Sequence, residues 1–474
     1  MDILLISANR ETSPYPVFPL GLSFLAGPLK AAGHRLRAVD LCFAEDPEAL
    51  VAETLSGFTP DAVVISIRNI DNVTYPGFRS YLEGVRGVVE LCRGTAPVIL
   101  GGSGFSLMPL ELLKHLGGDY GVVGEGEEVL PRLLECISRG EPPGRIPGVV
   151  VKGSDSVRPP LPVEAIGTPE RDLFQVERYN RQGGMANIQT KRGCPFSCIY
   201  CTYPILEGSR IRTRQVEDII SEIRGLVERY GTEYLYFVDD IFNYPVDFAE
   251  RLCGALAKAG LPVKWTAFVN PGFVTPELVR AMVEAGCDAF EFGSDSGSAV
   301  MLRNLGKSFT TDDIRAASAL CRELGVDFAH YILFGGPGET EETVLESFSL
   351  MDEVEPTAVI GMTGIRIYPG TALHRQAVEE GVITPETPLL EPVFYLSPHV
   401  RDILCDLVTA EAMKRRNWVA PGLEINMSDA MMTALRHFPV KGPLWKLMKR
   451  LGRSRVRPLA GSAGGSPPDN PPSP

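Results

Sequence analysis

The sequence lacks the features that mark secreted, membrane-spanning and nucleic-acid-binding proteins. Among its 474 residues, no stretch approaches the ~20 consecutive apolar residues that a membrane-spanning helix needs. The first residues lead directly into an apolar, strand-like run with neither a basic region nor a cleavage site, so we expect no signal peptide. The net charge of −13 disfavours general nucleic-acid binding, which usually leaves a basic footprint.

Cysteine is present but is not arranged as a disulfide framework. Three of the ten cysteines lie together in one short loop, and the other seven are scattered singly among apolar neighbours, a pattern typical of buried, reduced thiols. Those seven are Cys42, Cys92, Cys136, Cys253, Cys287, Cys321 and Cys405. Such usage fits the reducing cytoplasm better than a secreted scaffold, so we expect a cytoplasmic protein.

The chain is too long for one ordinary domain, and two or three are expected. We predict an α/β fold in which a doubly wound, Rossmann-like domain precedes a partial (β/α)6 barrel and a small, mostly helical C-terminal region. The predicted boundaries are 1–140 for the first domain, 141–183 for a connector, 184–384 for the barrel, 385–458 for the C-terminal region and 459–474 for a disordered tail.

The first 140 residues alternate between short apolar strands and helical patterns. This alternation predicts a doubly wound parallel sheet, in which ligands bind where the strands end. Two glycine-rich stretches, 101–104 and 124–127, follow predicted strands, and glycine lets backbone approach a ligand closely. Ordinary tight turns are the alternative, since neither stretch has the GxGxxG form and no Walker A sequence occurs.

Six further strand–helix units are predicted in the barrel region, each strand ending in polar residues or glycine. The predicted strands are 186–190, 234–238, 263–268, 289–292, 328–334 and 358–367. Six such units indicate a barrel or an open partial barrel, whose active site lies at the carboxyl ends of the strands.

The C-terminal region differs in charge from the rest of the chain. Eight Lys or Arg residues and no acid lie between Arg436 and Arg457. Helices are predicted at 400–416 and around 428–437, and residues 444–451 place apolar side chains on one helix face. Two interpretations of 440–457 are open: peripheral contact with an anionic membrane surface, with Trp445 at the interface, or packing on the protein with a solvated basic face.

Three cysteines within residues 190–201 (TKRGCPFSCIYC) are the strongest chemical signal. Cys194, Cys198 and Cys201 are separated by three and then by two residues. A disulfide uses two sulfurs and a closed zinc site usually has four ligands, whereas three thiolates suit an iron–sulfur cluster with one iron left free. A structural or metal-storing role is the alternative for the loop taken alone.

With its flanks, this loop resembles the radical SAM superfamily, in which a CxxxCxxC loop follows the first barrel strand. The resemblance implies a [4Fe–4S] cluster on the three thiolates and S-adenosylmethionine at its fourth iron. The residues that match the superfamily's S-adenosylmethionine contacts are Tyr200, Asp239, Asp240, Ser294, Asp295, Gly335, Gly336 and Arg366. The usual residue at the place of Asp295 is glutamate. A helix cap or surface acid is the alternative for the two neighbouring aspartates, and an ion pair for Arg366.

The first domain, placed before such a barrel, resembles the cobalamin-binding subfamily. The strings VISIRNIDN, VILGGSGFSLMP and YGVVGEGEEVLP carry this resemblance. It implies cobalamin contacts at Ser66, Arg68, Asn69, Gly101, Gly102, Ser103, Gly104, Gly124, Glu125 and Gly126. The Asp-x-His-x-x-Gly motif that gives a histidine to cobalt in other cobalamin proteins is absent. We therefore expect a lower cobalt face without histidine, with Arg68 or Asn69 near it or in a purely structural role.

The resemblance implies methylation of an unactivated carbon in a small-molecule or lipid substrate. A 5′-deoxyadenosyl radical would remove a hydrogen atom and the substrate radical would take a methyl group from methylcobalamin, while the protein positions both cofactors and excludes water. No catalytic residue beyond the cluster cysteines is assigned. The alternatives are a radical cyclase or rearrangement enzyme and a non-catalytic cobalamin sensor. An electron donor of the flavodoxin or ferredoxin type is the expected partner, and no nucleic acid is expected.

Overall fold

The first sheet has six strands, of which five are parallel. The computed structural model of the chain describes residues 1–421 and 441–451. The strands of the first sheet are β1 Asp2–Ser7, β2 Arg35–Asp40, β3 Ala62–Ser66, β4 Val98–Gly101, β5 Tyr120–Val122 and β6 Val149–Val151. Their order is β2-β1-β3-β4-β5-β6, with β6 antiparallel to β5. The order reverses between β1 and β3, so the predicted doubly wound sheet and its switch point are confirmed.

Helices cover both faces of this sheet. They are α1 Leu20–Ala31, α2 Pro47–Gly57, α3 Leu82–Cys92, α4 Ser103–Leu107, α5 Pro109–Leu116 and α6 Val129–Arg139. Because both faces are covered, a central strand must be apolar on both sides, and four consecutive residues of β1 are fully buried. The edge strand β6 lies in the segment predicted as a connector. It extends the first sheet rather than forming the small separate hairpin expected near 148–152.

The second sheet contains the six predicted barrel strands and one more. They are β7 Ala186–Ile188, β10 Tyr234–Phe237, β11 Lys264–Val269, β12 Cys287–Asp295, β13 Asp327–Phe334, β14 Ala358–Thr363 and β17 Trp418–Val419. All pair in parallel, in the order β17-β14-β13-β12-β11-β10-β7. The predicted partial barrel is confirmed, and its carboxyl-terminal rim faces the first sheet through the loops described below.

Two short hairpins and a set of helices complete the described chain. The hairpin strands are β8 Lys191–Arg192 with β9 Arg212–Thr213, and β15 Ile365–Arg366 with β16 Phe394–Tyr395. The helices are α7 Val176–Gly183, α8 Tyr203–Leu206, α9 Val216–Tyr230, α10 Val246–Ala259, α11 Pro276–Glu284, α12 Ala299–Asn304, α13 Thr311–Glu323, α14 Glu341–Val354, α15 Ala372–Glu379, α16 Leu404–Met413 and α17 Met448–Leu451. The 3₁₀ helices are Arg171–Leu173, Pro271–Phe273 and Leu444–Leu447.

One apolar core joins the two sheets. Ile67 and Phe105 from the first sheet belong to the same buried cluster as Met301, Leu305 and Ile365 from the barrel side. Burial of these side chains against one another removes apolar surface from water, which favours one fixed arrangement of the two sheets.

The C-terminal segment 441–449 packs under the barrel instead of on a membrane surface. Trp445 is 7% exposed, and its Nε1 donates a hydrogen bond to Glu291 Oε1 at 3.0 Å. Lys441 and Lys446 form ion pairs with Glu233 and Asp288 at 2.7 and 2.8 Å. Of the two interpretations left open for 440–457, the described residues therefore favour packing on the protein, where acids near the amino ends of the barrel strands pair with the lysines.

Within the part of the chain that the structure describes, no helix has both the length and the apolar composition needed to cross a bilayer. The predicted helix at 400–416 is observed as α16. The predicted helix around 428–437 and the tail at 459–474 lie outside the described residues.

Candidate active site

The cysteine loop begins where β8 ends, at the carboxyl-terminal rim of the barrel. Cys194 is buried, Cys198 and Cys201 are half-buried, and all three thiols are free. The Cys194 amide donates to the Gly208 carbonyl at 3.1 Å. Gly193 has a φ of 91°, and a Cβ there would lie 2.3 Å from the Arg210 carbonyl oxygen. The tight approach of these two chain segments therefore requires glycine at this position.

The donor set of the loop fits an iron–sulfur cluster better than a single metal ion. Within residues 1–421 and 441–451, no three Cys, His, Asp or Glu side chains are grouped so as to hold one ion. A four-iron cluster binds each cysteine through a different iron, so its thiolates need not meet at one point. Burial raises the pKa of Cys194 to about 11 and that of Cys201 to about 12. A cationic metal group would offset that cost by stabilising the thiolates.

Asp239, one predicted S-adenosylmethionine contact, is occupied by the protein itself. Its Oδ1 accepts hydrogen bonds from the amides of Thr190 and Lys191 at 2.6 and 3.2 Å. Its Oδ2 accepts from the Thr190 hydroxyl and from Lys191 Nζ, the latter at 3.0 Å. The side chain is fully buried with Lys191 beside it. Asp239 therefore anchors the start of the cysteine loop, and its contact with S-adenosylmethionine stays a prediction.

Asp240 is the aspartate that is free to hold a ligand. Its Oδ2 is buried and has no hydrogen-bond partner. It lines a small cavity with Gly193, Cys194 and Tyr244. Burial raises its pKa to about 8, and the nearby carboxylates of Glu207 and Asp239 contribute. An unpaired, buried carboxylate is costly unless a cation meets it, so this group fits an ammonium ion of a bound molecule.

Ser294 and Asp295 face opposite sides of β12. The Ser294 hydroxyl lies 2.7 Å from His330 Nδ1 and is fully buried, and its contact with S-adenosylmethionine stays a prediction. Asp295 has a φ of 62° and accepts hydrogen bonds from Tyr200 and from Lys307 Nζ, the latter at 2.7 Å. Lys307 also interacts with Cys198 and counteracts the rise in the pKa of that thiol, whose main cause is burial. Sequence reasoning missed Lys307, which carries no motif and lies after α12.

The glycines after β13 bind a glutamate of their own loop. The amides of Gly335 and Gly336 both donate to Glu339 Oε2, the second at 3.1 Å. These two amides are therefore bonded within the loop, and the contact of Gly335 and Gly336 with S-adenosylmethionine stays a prediction. Burial raises the pKa of Glu339 to about 7, and its Oε1 is buried without a hydrogen-bond partner.

Arg366 joins the two sheets instead of lining the cavity. Its Nε donates to Asp71 Oδ2 at 3.2 Å, and both side chains are 1% exposed. Its remaining nitrogens donate to the carbonyls of Ile367 and Leu389 at 2.8 and 2.7 Å. All three guanidinium nitrogens therefore bond within the protein, and one of these bonds belongs to the ion pair that was the alternative prediction for Arg366.

The strand ends of the first sheet bring Arg68 and the glycines of residues 101–104 together. A Cβ at Gly102 would lie 2.6 Å from the Ile67 carbonyl oxygen, and one at Gly104 would lie 2.9 Å from that of Arg68. The Ser103 hydroxyl donates to the Arg68 carbonyl at 3.2 Å. These glycines therefore let the β4 end pack on the β3 end. Ser66, Asn69 and Gly101 are half-buried at the same edge.

The second glycine-rich stretch is buried between the two sheets. Glu125 accepts hydrogen bonds from Arg212 at 2.6 and 2.9 Å and from the Val163 amide at 2.5 Å, and it pairs with Arg192 at 3.3 Å. Gly124 is next to Pro160 and Gly126 next to Leu25. The charge of the Glu125 carboxylate is taken up by arginines flanking the cysteine loop, and the cobalamin contact of Glu125 stays a prediction.

Tyr203 shows that the cysteine loop and the first sheet border one internal cavity. Its side chain is 45% exposed, yet surrounding protein raises its pKa, and Asp240 adds to the rise while Arg68 opposes it. Arg68 is also exposed, and its surroundings lower its pKa by desolvation. Helix α8, which begins at Tyr203, also contacts α4 at the strand ends of the first sheet. Cys201, Asp240, Tyr203 and Arg68 therefore surround one space, the common cavity.

Two family models match the chain. Residues 188–351 match the radical SAM superfamily, and residues 6–134 match the B12 binding domain. The first covers the cysteine loop and most barrel strands, and the second covers the first sheet through β5.

Named relatives and solved structures match over most of the chain. The chain is 26% identical to an uncharacterized methyltransferase of Pyrococcus horikoshii over 81% of this chain and 84% of that protein. It is 25% identical to tryptophan 2-C-methyltransferase of Streptomyces laurentii, over 80% and 74%. Its fold is similar to that of the radical S-adenosylmethionine methyltransferase TsrM from Kitasatospora setae with cobalamin and a [4Fe–4S] cluster bound. That match has a TM-score of 0.84 at 23% identity and covers 95% and 97% of the two chains.

Proposed function

We propose that this chain, which belongs to the radical SAM superfamily and carries a B12-binding domain, is a cobalamin-dependent enzyme that methylates carbon. The observation that carries the proposal is the common cavity, where a three-cysteine loop, an unpaired carboxylate and the strand ends of the B12-binding domain meet. The similar proteins named as methyltransferases support the reaction class.

The cluster loop and its neighbours hold the first two cofactors. Cys194, Cys198 and Cys201 bind a [4Fe–4S] cluster, and Asp240 takes the methionyl ammonium of S-adenosylmethionine. Lys307, held by Asp295 beside Cys198, supplies positive charge for the methionyl carboxylate. Tyr200 shares the Asp295 carboxylate and borders the same site.

The proposed role of Asp240 rests only on its buried Oδ2, which has no hydrogen-bond partner, and on its place beside Cys194.

The strand ends of the B12-binding domain hold cobalamin. We assign contacts to Ser66, Asn69, Gly101, Gly102 and Ser103, with Arg68 reaching into the common cavity. Gly104, Gly124 and Gly126 serve the packing of the loops. His34 precedes β2, and His115 lies in α5 before β5, so both are at the edge of the sheet opposite these strand ends. This placement supports a lower cobalt face without histidine.

The residues of the chain position the reactants and keep water away from them. When bound, the cluster with S-adenosylmethionine supplies a carbon radical, and cobalamin supplies a methyl group. Asp240 and Lys307 orient the methionyl group by its two charges. Tyr203 and the barrel wall restrict the access of water to the cavity.

Three further assignments stay proposals. The division into domains at 1–140, 141–183, 184–384, 385–458 and 459–474 is one. The second is an electron donor of the flavodoxin or ferredoxin type, which the reductive chemistry of the family requires. The third is a cytoplasmic location; peripheral membrane contact through 440–457 loses its main support, since Trp445 is buried. A radical cyclase or rearrangement enzyme is the second candidate function.

Anaerobic reconstitution with iron, sulfide and cobalamin tests the proposal. The reconstituted protein is given S-adenosylmethionine, a reductant and candidate substrates, and 5′-deoxyadenosine and S-adenosylhomocysteine are measured together. Both products are expected for methyl transfer through a substrate radical. Deoxyadenosine alone indicates a rearrangement. The absence of both products would contradict an enzymatic role.

The matched variants are Cys198→Ala and Cys136→Ala. Cys198→Ala should lose the cluster absorbance and all cleavage of S-adenosylmethionine. Cys136→Ala removes a half-buried thiol of α6, remote from the loop, and should retain both. Unchanged cleavage in Cys198→Ala would contradict the assignment of the cluster.

A further inference from the structure

The C-terminal segment closes the interior of the barrel from below. Side chains alternate between the two faces of a strand, so every second residue of β12, β13 and β14 points into the barrel. Ala289, Ala329 and Ala358 share a buried cluster with Trp445. Three small side chains on neighbouring strands leave room for one large ring, and the indole fills it.

A layer of aromatic rings lies above Trp445. Glu291 Oε2 accepts hydrogen bonds from Tyr236 at 3.2 Å and from Tyr331 at 3.1 Å, while its Oε1 accepts from Trp445. The Phe268 ring centre is 5.2 Å from that of Tyr331. Because three donors satisfy the Glu291 carboxyl, the layer presents rings and no unpaired charge to the space above it.

That space is open and continues into the common cavity. Tyr236, Phe268 and Tyr331 are half-buried although they lie inside the barrel. Met362 follows Ile360 by two residues on β14 and is 40% exposed. A Cβ added at Gly293 would meet no atom within 4 Å. Burial and the charge of Glu291 raise the pKa of Tyr236, and Tyr203 of the common cavity is among the smaller contributors, as expected if the lumen opens toward that cavity.

The segment is anchored at points other than Trp445. Lys441 and Lys446 pair with acids at the lower rim of the barrel, as does Lys449 with Asp327. The Leu444 amide donates to the Tyr15 hydroxyl at 2.5 Å. A variant that loses only the indole of Trp445 therefore keeps the other contacts that attach the segment to the barrel.

We propose that substrate enters the lumen with an uncharged, apolar end directed at Tyr236, Phe268 and Tyr331, and that Trp445 sets the length of that end. The inference rests on the proposed function, since it takes the common cavity as the reaction site. A charged end would be buried there without a partner, which is costly. The charged part of a substrate therefore lies away from this aromatic layer.

Binding of n-alkylbenzenes, from ethylbenzene to octylbenzene, to the reconstituted holoprotein tests this inference by calorimetry. In the wild type, affinity should rise about fourfold with each buried methylene until the chain reaches the aromatic layer, and then fall. Trp445→Ala removes the indole that supports this layer from below through Glu291, so the layer can yield and the maximum should move to a longer chain. Trp445→Phe, which keeps a ring at this place, should move it less.

An unchanged maximum in folded Trp445→Ala, or no binding of any alkylbenzene to the wild type, would overturn the inference. If Trp445→Ala does not fold, Gly293→Leu tests the lumen from above and should move the maximum to shorter chains; an unchanged maximum again contradicts the inference. The readout needs no turnover, so a failure of the proposed methyl transfer is seen separately, in the product analysis.

Discussion

Asp239 and Asp240 are adjacent in the chain, but their carboxylates have different surroundings. Asp239 accepts four hydrogen bonds from the two residues that lead into the cysteine loop. Asp240 has a buried oxygen without a partner. The first is therefore a structural anchor and the second a site for a cation.

Asp240→Asn should weaken the binding of S-adenosylmethionine about tenfold or more, because a charged hydrogen bond to the ammonium is lost. The iron content should not change. Calorimetry on the anaerobically reconstituted protein measures the affinity. Asp239→Asn is the matched variant, and it should lower the stability of the fold by about 3–5 kcal/mol, since Lys191 is left buried without its partner. Equal losses of affinity in two equally stable variants would contradict this division.

Sequence reasoning placed polar residues at the correct strand ends, but it did not predict the direction in which each side chain points. Successive residues of a strand face opposite sides, so a boundary error of one residue exchanges the roles of Ser294 and Asp295. Lys191 and Lys307 bond to Asp239 and Asp295 and so decide whether these carboxylates are free to bind a ligand. Both lysines lie in other segments of the chain. Whether a predicted ligand is already bonded cannot be derived from local sequence.

The loop after β13 contains a carboxyl group with a pKa displaced by folding. Burial raises the pKa of Glu339 from 4.5 to about 7. The folded state therefore holds a proton that the unfolded chain releases. The stability from this group is fully present below pH 4.5 and is lost as the pH rises through about 7.

Glu339→Gln should remove this dependence. Relative to the variant, the wild type should lose about 3 kcal/mol of stability between pH 4.5 and pH 8, following 1.36 kcal/mol per pKa unit. Denaturant unfolding of both proteins across this range measures the difference. The exposed Glu342→Gln on α14 is the control and should follow the wild type. A constant difference between wild type and Glu339→Gln would show that folding does not raise the pKa of this carboxyl.

The ion pair between the segment after β3 and the hairpin strand β15 connects the two sheets. Asp71→Asn should lower stability by about 3–5 kcal/mol, because it leaves the Arg366 guanidinium buried without its charge partner. Urea unfolding measures this loss. Arg86→Ala breaks an exposed pair with Glu90 and should cost less than about 1 kcal/mol. A similar, small effect of both variants would mean that the buried pair does not hold the sheets together.

The long elements of the fold could be predicted from sequence, and the short ones could not. The strands β1 and β3 are continuous apolar runs, and their burial on both faces follows from that pattern. Strand β17 has two residues, which is too short for any periodicity. The amphipathic pattern around Trp445 indicated an apolar face but not its partner, since a lipid surface and a barrel interior favour the same residues.

At the scale of the whole molecule, the common cavity is bordered from both sheets, so neither sheet alone encloses it. Arg68 lies at the end of β3, and Tyr203 begins α8 on the barrel side. Cobalamin bound between the two sheets should therefore depend on residues of both.

Arg68→Ala and Tyr203→Ala should each lower the amount of cobalamin retained after gel filtration, because each removes contact area from one wall of the cavity. Cobalamin absorbance relative to protein measures the retained fraction. Arg37→Ala on β2 changes an exposed arginine of the same domain that packs on Phe58, and it should retain cobalamin like the wild type. If Arg68→Ala alone loses cobalamin, the first sheet holds the cofactor by itself, and the barrel contributes nothing to its binding.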